Sequence, residues 1–302
     1  MSLPARLFGV TALLIVAQAC VAQELTSPVY RVANDQTAPQ PVAGPPVRTA
    51  SAPAGATRPK GLENSPFNIY EVPGEHPLMP CLRLAKQGLA EIDANIQGYS
   101  AILTKQERID GKVGDPQQLA IKVRHEPFSV YVKFIKPFAG REVLYNSAKS
   151  TTKLTAMEGS GLYRRFGKIS LPVDGRLAMH GQRYPITMTG VRFLTEELLR
   201  IGTEDIKYGE CSVEYGVMDI GGRPCTMIKA VHPTPRKNFR FNIARIFIDH
   251  ELRVPTGYDA YSWPIEAGGQ PVLEESYFHT NVVLNPGFTD ADFDENNPNL
   301  FK

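Results

Sequence analysis

The histidines are the side chains most often used for metal binding and proton transfer, so their spacing is informative. They show no HExxH pair and no pair four residues apart, which argues against a metal site. Asp249-His250-Glu251 fits a polar turn between two strands better than an acid–base pair. The chain also lacks a GxSxG elbow, a GxGxxG loop and a Walker loop. We therefore predict no enzyme and no cofactor; the six histidines are His76, His125, His180, His232, His250 and His279.

An acidic segment near the C-terminus superficially resembles a calcium-binding loop. Asp290, Asp292 and Asp294 occupy alternating positions, but Glu295 stands where an EF-hand needs a turning glycine. The twelfth position is Phe301, where a bidentate glutamate belongs. We interpret the segment as a solvated C-terminal turn.

The first 22 residues have the pattern of an export signal. Arg6 is the only charge, an apolar run of about 11 residues follows, and small residues come after it. That run is too short to span a membrane, which takes roughly 20 residues. Cleavage after Ala22 is the favoured prediction; cleavage after Ala19 would leave Cys20 first, as in a lipoprotein, and is the minority hypothesis. We expect a periplasmic or cell-envelope protein.

Three cysteines remain after cleavage behind Ala22, and they allow one disulfide with one cysteine left over. A bridge between the last two would close a loop of about 15 residues and contribute ~3 kcal/mol. Free buried thiols are the equal alternative, and the sequence does not choose among Cys81, Cys211 and Cys225.

Composition divides the remaining chain into a linker and one domain. Residues 23–65 are rich in proline and alanine and poor in aromatic residues, so we predict a disordered linker. The domain is predicted over residues 66–302. The whole chain has a formal net charge of +2. This is too small an excess of positive charge for a protein that neutralises nucleic-acid phosphates.

Two helices and many strands are predicted in this domain. Apolar residues from Leu82 to Ile96 recur every three or four positions after Pro80, and a second such pattern runs from Val191 to Ile201. Most other segments alternate with period two between turn signals. The predicted strands are 119–124, 130–134, 143–145, 154–157, 211–217, 226–231, 240–248, 252–254, 258–263 and 272–284.

This order predicts a mainly antiparallel β fold with a few helices, in the α+β class. So many antiparallel strands should curl into an unclosed half-barrel that covers an amphipathic helix. A curled sheet encloses an apolar hollow, and the apolar faces of two strand segments are candidates to line it. These candidates are Val130, Val132, Phe134, Phe241, Ile243, Ile246 and Ile248. The basic cluster Arg164-Arg165-Gly167-Lys168 is interpreted as a solvated loop that could contact anionic head groups.

Several blocks in order carry a resemblance to a known family. They are Lys105 to Arg108, Lys122 to Tyr131, Gly140 to Val143, Leu177 to Thr187 and Thr289 to Asp294. From about Leu78 to the C-terminus the chain resembles the bacterial domain-of-unknown-function family 1571. The resemblance implies an exported envelope protein without an assigned biochemical role. A helix leading into a half-barrel also resembles, more remotely, the LolA-like lipoprotein-carrier superfamily, although no specific carrier signature is present.

Two functions are therefore expected from the sequence. The first is a non-catalytic binding or carrier module for a lipid, a lipoprotein or another amphiphile. The alternative is a structural or interaction protein of the cell envelope that binds an envelope protein partner and no small ligand. Contact with a membrane would be peripheral or through an N-terminal lipid, and no nucleic acid is expected.

Overall fold

The computed structural model describes residues 52–302. The predicted export signal, the start of the predicted linker and the lipidation candidate Cys20 lie outside these residues. No helix within residues 52–302 combines the length and the apolarity that crossing a membrane requires.

Two α-helices form where the apolar spacing predicts them. α1 (Met79–Asn95) carries a proline in its first turn, and its buried residue Ile92 faces the sheet. α2 (Val191–Asp205) continues four residues beyond the predicted end at Ile201. The hydroxyl of buried Tyr99 accepts a hydrogen bond of 3.2 Å from the Val191 amide. This bond fixes the start of α2 against the sheet.

Twelve strands form one antiparallel sheet in the described part of the chain. Its order is β7-β6-β5-β4-β3-β1-β12-β11-β10-β9-β8, and β2 pairs with β1 alone. β7 and β8 are its two ends and do not pair with each other, so the sheet is not closed. The strands are β1 (Gly98–Ile109), β2 (Lys112–Val113), β3 (Gln117–Arg124), β4 (Ser129–Lys136), β5 (Glu142–Asn146), β6 (Lys153–Met157), β7 (Ile169–Pro172), β8 (Ser212–Ile220), β9 (Arg223–Val231), β10 (Ile243–Asp249), β11 (Pro255–Ser262) and β12 (Val272–Leu284).

The predicted fold class is confirmed: two helices and an unclosed antiparallel sheet make an α+β fold. The main core lies between the sheet and the helices, where Ile92 and Val191 pack with Tyr99, Val123 and Val130. The predicted strand at 252–254 is wrong, since these residues belong to the turn between β10 and β11. β1 and β7 are not among the predicted strands.

The folded domain begins before the predicted boundary at Pro66. Leu62 is fully buried and forms a small core with Phe67 and Ile69. The Arg58 guanidinium donates hydrogen bonds to the carbonyls of Leu62 and Ser65 at 2.7 Å each. In the structure this part of the predicted linker packs against the domain.

The C-terminal acidic segment packs against the sheet instead of standing free as a solvated turn. Phe293 is buried in a cluster with Tyr131. Asp290 pairs with Arg124 at 2.7 Å, and Asp292 pairs with Lys122 at 2.8 Å. Within residues 52–302 no group of three or more side chains is arranged to hold a metal ion.

The three cysteines of the described domain are free thiols: Cys81, Cys211 and Cys225.

Candidate ligand-binding cavity

A cavity of about 760 Å³ lies between the sheet, α2 and residues 158–190. Eight consecutive strands of the sheet, from β7 to β11, each contribute at least one side chain to its wall. Neighbouring strands lie about 4.8 Å apart, so eight strands in a flat sheet would span more than 30 Å. They can share one cavity only because the sheet curls around it. This geometry matches the hollow expected from the sequence.

The wall formed by β1 and β3–β7 is predominantly apolar. It includes two of the predicted residues, Val132 and Phe134, and the side of α2 adds further apolar groups. The apolar side chains of these strands and α2 are Leu103, Leu119, Ile121, Val132, Phe134, Val143, Leu154, Ala156, Met157, Ile169, Leu171, Phe193, Leu194, Leu198 and Ile201.

The other five predicted cavity residues lie elsewhere. Val130 is fully buried in the main core and does not line the cavity. Phe241, Ile246 and Ile248 line a smaller space of about 130 Å³ next to α1 and α2. Ile243 lines neither space.

Residues 158–190 form a rim that carries apolar side chains into solvent. A short 3₁₀ helix, Leu162–Phe166, lies in this segment. Tyr163, Phe166 and Leu177 line the cavity and yet are 71%, 69% and 73% exposed. Large apolar groups that are this exposed commonly mark a contact surface.

The predicted basic cluster lies on the same rim. Arg165 and Lys168 are exposed, and the Lys168 ammonium donates to the Glu295 carbonyl at 2.8 Å. The Arg164 guanidinium donates to the carbonyl of Glu158 at 3.2 Å. Apolar and cationic side chains therefore alternate along one edge of the cavity.

The neighbouring part of the wall, formed by the end of β1, by β11 and by β12, is polar although it is buried. In the β1–β12 pairing Lys105 lies opposite Tyr277, and Glu107 lies opposite Glu275. Because side chains alternate between the faces of a strand, these four share the face that carries Leu103. We call Lys105, Glu107, Glu275, Tyr277 and their partners Gln182, Arg183, Tyr184 and Tyr258 the polar cluster.

Hydrogen bonds satisfy both carboxylates of the polar cluster. Glu107 accepts from the Tyr277 hydroxyl at 2.6 Å and from the Lys105 ammonium at 3.1 Å. Glu275 accepts from the Tyr184 hydroxyl at 2.6 Å, the Tyr258 hydroxyl at 3.1 Å and the Arg183 Nε at 2.9 Å. These contacts offset the cost of burying charge.

Burial shifts the pKa values of three side chains of this wall in the direction that favours their neutral forms. Burial raises the pKa of Glu275, although hydrogen bonding from Tyr184 and the charge of Arg183 oppose the shift. Burial lowers the pKa of Lys105, and Glu107 opposes that shift. The neighbouring His279 lines the cavity, and burial lowers its pKa to about 4, so it is neutral at pH 7.

The polar cluster is not among the sequence predictions. A signal for it exists in β1: the alternation of Tyr99, Ala101 and Leu103 continues through Lys105 and Glu107 and puts these two charges on the buried face. Charged side chains on a strand are normally assigned to the solvent face. The burial of Lys105 and Glu107 is therefore not expected from the sequence. The arrangement can hold a polar group at one wall of an apolar cavity.

The family model for a protein of unknown function, DUF1571, matches residues 96–301, about two thirds of the chain. Comparison of the sequence with curated proteins finds no match.

Comparison with solved structures finds matches of low identity and low TM-score, and three of them follow. The lipoprotein LppX of Mycobacterium tuberculosis is 9% identical with a TM-score of 0.39, over 72% of this chain and 100% of that one. A putative outer membrane lipoprotein-sorting protein domain from Vibrio parahaemolyticus is 11% identical with a TM-score of 0.34, over 71% and 96%. A LolA superfamily protein from Nitrosomonas europaea is 10% identical with a TM-score of 0.29, over 70% and 97%.

At such identities and scores the similarities say nothing about a ligand. The family match, by contrast, covers most of the described domain, and it includes the cavity wall from β1 to β12. The chain belongs to the DUF1571 family of proteins of unknown function.

Proposed function

We propose that this protein is a non-catalytic binding or carrier module of the cell envelope that holds a lipid, the acyl chains of a lipoprotein or another amphiphile. The observation that carries the proposal is the curled sheet around a cavity of about 760 Å³ whose wall is apolar along β3–β7 and polar along β11 and β12. Small-molecule sites typically measure about 300–1,000 Å³. An amphiphile matches both parts of the wall, because its chain and its head have different polarity.

The energetics favour an acyl chain as the apolar part of the ligand. Each buried methylene contributes about 0.8 kcal/mol, so ten methylenes contribute about 8 kcal/mol. Association costs about 4–15 kcal/mol in lost freedom and ordering, and the polar contacts of the head add to the gain. Burial of an acyl chain of ordinary lipid length can therefore offset the cost of association and give a net favourable free energy of binding.

The rim supports loading from a membrane surface. Phe166 and Tyr163 are placed to enter the acyl boundary, while Arg165 and Lys168 attract anionic head groups at about 1 kcal/mol each. Such contact is peripheral. Together with the predicted export signal, it favours a periplasmic location next to a membrane.

The test is whether the purified protein binds an amphiphile, and two independent measurements can detect this binding. Native mass spectrometry of protein recovered from its own envelope should show an added mass of lipid size. A fluorescent apolar probe without an acid group should gain intensity on mixing with delipidated protein. A clean apo mass together with no probe uptake would contradict the proposal and favour the interaction protein without a small ligand.

A matched pair of variants tests whether the cavity is the site. Ala156 lines the cavity on β6, whereas Ala148 is exposed in the turn after β5. Ala156→Trp fills the cavity and should reduce probe uptake at least about tenfold, since a loss of 1.4 kcal/mol already corresponds to that factor. Ala148→Trp should bind like the wild type. Equal uptake by both variants, with both folded by circular dichroism, would place the ligand elsewhere.

A further inference from the structure

We infer that the head of the bound amphiphile is uncharged and bears oxygen acceptors, as in an acylglycerol, a long-chain alcohol or an ester. The inference rests on the proposed function, because it concerns the ligand of the same cavity. It is drawn from the charge balance of the cavity wall and from the hydrogen-bonding groups that the polar cluster leaves unused.

Every charged side chain that lines the cavity has an opposite charge beside it. Lys105 pairs with Glu107 at 3.1 Å, and Arg141 pairs with Glu158 at 2.9 Å. Arg240 pairs with Glu197 at 3.0 Å. Glu275, the remaining carboxylate of the wall, pairs with Arg183 at 2.9 Å. With Arg183, the partner of Glu275, the wall holds four cations and four carboxylates and has no excess of positive charge: Lys105, Arg141, Arg183 and Arg240 against Glu107, Glu158, Glu197 and Glu275.

Each carboxylate of the polar cluster is already paired with a cation, and each of its oxygens already accepts a hydrogen bond. Both oxygens of Glu107 accept hydrogen bonds, one from Tyr277 and the other from Lys105. Both oxygens of Glu275 are also occupied, by Tyr258 on one side and by Tyr184 on the other. A cationic head would compete with Lys105 and Arg183 for carboxylates that these residues already neutralise inside a buried wall, which is costly.

The unused groups of the wall are hydrogen-bond donors. The Lys105 ammonium has three N–H groups and donates to two partners, Glu107 and Gln182. The Arg240 guanidinium has five N–H groups and donates to Glu197 and Tyr184. A hydroxyl, ether or ester oxygen can accept from them without adding charge.

An ionised acid head would meet the same donors, but it would add an unpaired negative charge to a wall whose cations are already matched by carboxylates, and Glu107 and Glu275 would repel it. The burial of Glu107 and Glu275 strengthens this repulsion, because charges in a protein interior are screened less than in water. A neutral oxygen-bearing head is the one class that uses the free donors and leaves the ion pairs intact.

The experiment compares two ligands that differ in the head alone. Monopalmitoylglycerol and palmitate, each added to the full-length protein carrying the fluorescent apolar probe, compete for the cavity at pH 8, where palmitate is ionised. Monopalmitoylglycerol should displace the probe at a concentration at least about tenfold lower, the factor that corresponds to 1.4 kcal/mol. Equal displacement, or tighter binding of palmitate, overturns the inference and leaves the proposed function standing. Failure of both ligands, together with no probe uptake, overturns the proposed function itself.

A charge-neutralising variant checks the cause of the preference. Glu107→Gln removes one negative charge and leaves the Lys105 charge unpaired. The affinity for palmitate, relative to that for monopalmitoylglycerol, should therefore rise at least about threefold. Glu214→Gln, on β8 outside the cavity, is the matched control and should keep the wild-type ratio. If Glu107→Gln does not fold, as judged by its thermal transition, Glu197→Gln replaces it with the same expected direction. An unchanged ratio in a folded variant contradicts the inference.

Discussion

Replacing His279 should remove a defined part of the acid sensitivity of this fold. His279 lies on β12 opposite Leu103 of β1, and its ring packs edge-on against Tyr99 at a centroid distance of 6.0 Å. The side chain is 8% exposed, and burial lowers its pKa from 6.5 to about 4. In the unfolded chain the ring is solvated and titrates near its ordinary value of about 6.5.

The direction and size of the effect follow from this difference. Between pH 6.5 and pH 4 the unfolded chain binds a proton that the folded chain does not, so the free energy of unfolding falls as the pH is lowered through this window. The stabilisation is fully present above pH 6.5. A difference of about 2.5 pKa units corresponds to about 3 kcal/mol, and most of it, about 2–3 kcal/mol, is lost by pH 4.5.

The assay is urea unfolding of wild type and His279→Gln at pH 7.5 and pH 4.5. All other titrating groups are common to both proteins, so the pH-dependent loss should be about 2–3 kcal/mol smaller in the variant. His180→Gln, which changes an exposed histidine of the rim, is the control for the substitution itself. The same loss of stability in wild type and His279→Gln would refute the assignment of this acid sensitivity to His279.

Two further predictions concern the domain boundary and the rim. Leu62→Ala should lower the free energy of unfolding by about 2–4 kcal/mol because Leu62 is fully buried, whereas Leu162→Ala, at a 65% exposed position, should change it by less than about 0.5 kcal/mol. Equal effects in chemical denaturation would mean that the segment before Pro66 does not belong to the folded domain. Phe166→Ser should reduce co-sedimentation with phosphatidylglycerol vesicles by about threefold or more, while Val217→Ser, on an exposed part of β8, should not. Wild-type binding that is equal for phosphatidylglycerol and phosphatidylcholine vesicles would contradict the electrostatic part of the membrane contact.

The helices and most strands could be predicted because their signals are local. The apolar stripes of α1 and α2 and the alternation in β3, β4 and β12 can be read within a few residues. β1 is less apparent in the sequence, because its apolar alternation ends in the charged stretch Lys105 to Arg108. Its identity as a strand depends on pairing with β3 and β12, which lie elsewhere in the chain.

The site was harder to predict than the fold, because cavity lining depends on the curvature of the whole sheet. Val130 and Val132 share one face of β4 and belong to the same core cluster, yet only Val132 also lines the cavity. Ile246 faces the smaller space beside the helices because β10 lies beyond the part of the sheet that curls around the main cavity. Alternation predicts which face of a strand is buried. It does not predict whether that face packs against another side chain or lines an open cavity.

The pairing of β1 with β12 sets the order in which this fold can be completed. Thr104 of β1 lies beside Phe278 of β12, about 170 residues later in the chain. Closing a loop of that length before its contacts form is entropically slow, and sheets dominated by such distant pairs fold slowly. The centre of the sheet cannot be assembled until β12 has been synthesised. A ribosome-bound chain that stops before β12 exposes both the unpaired edge of β1 and the apolar wall of the cavity, so nascent chains of this protein should depend on a chaperone until the last strand is released.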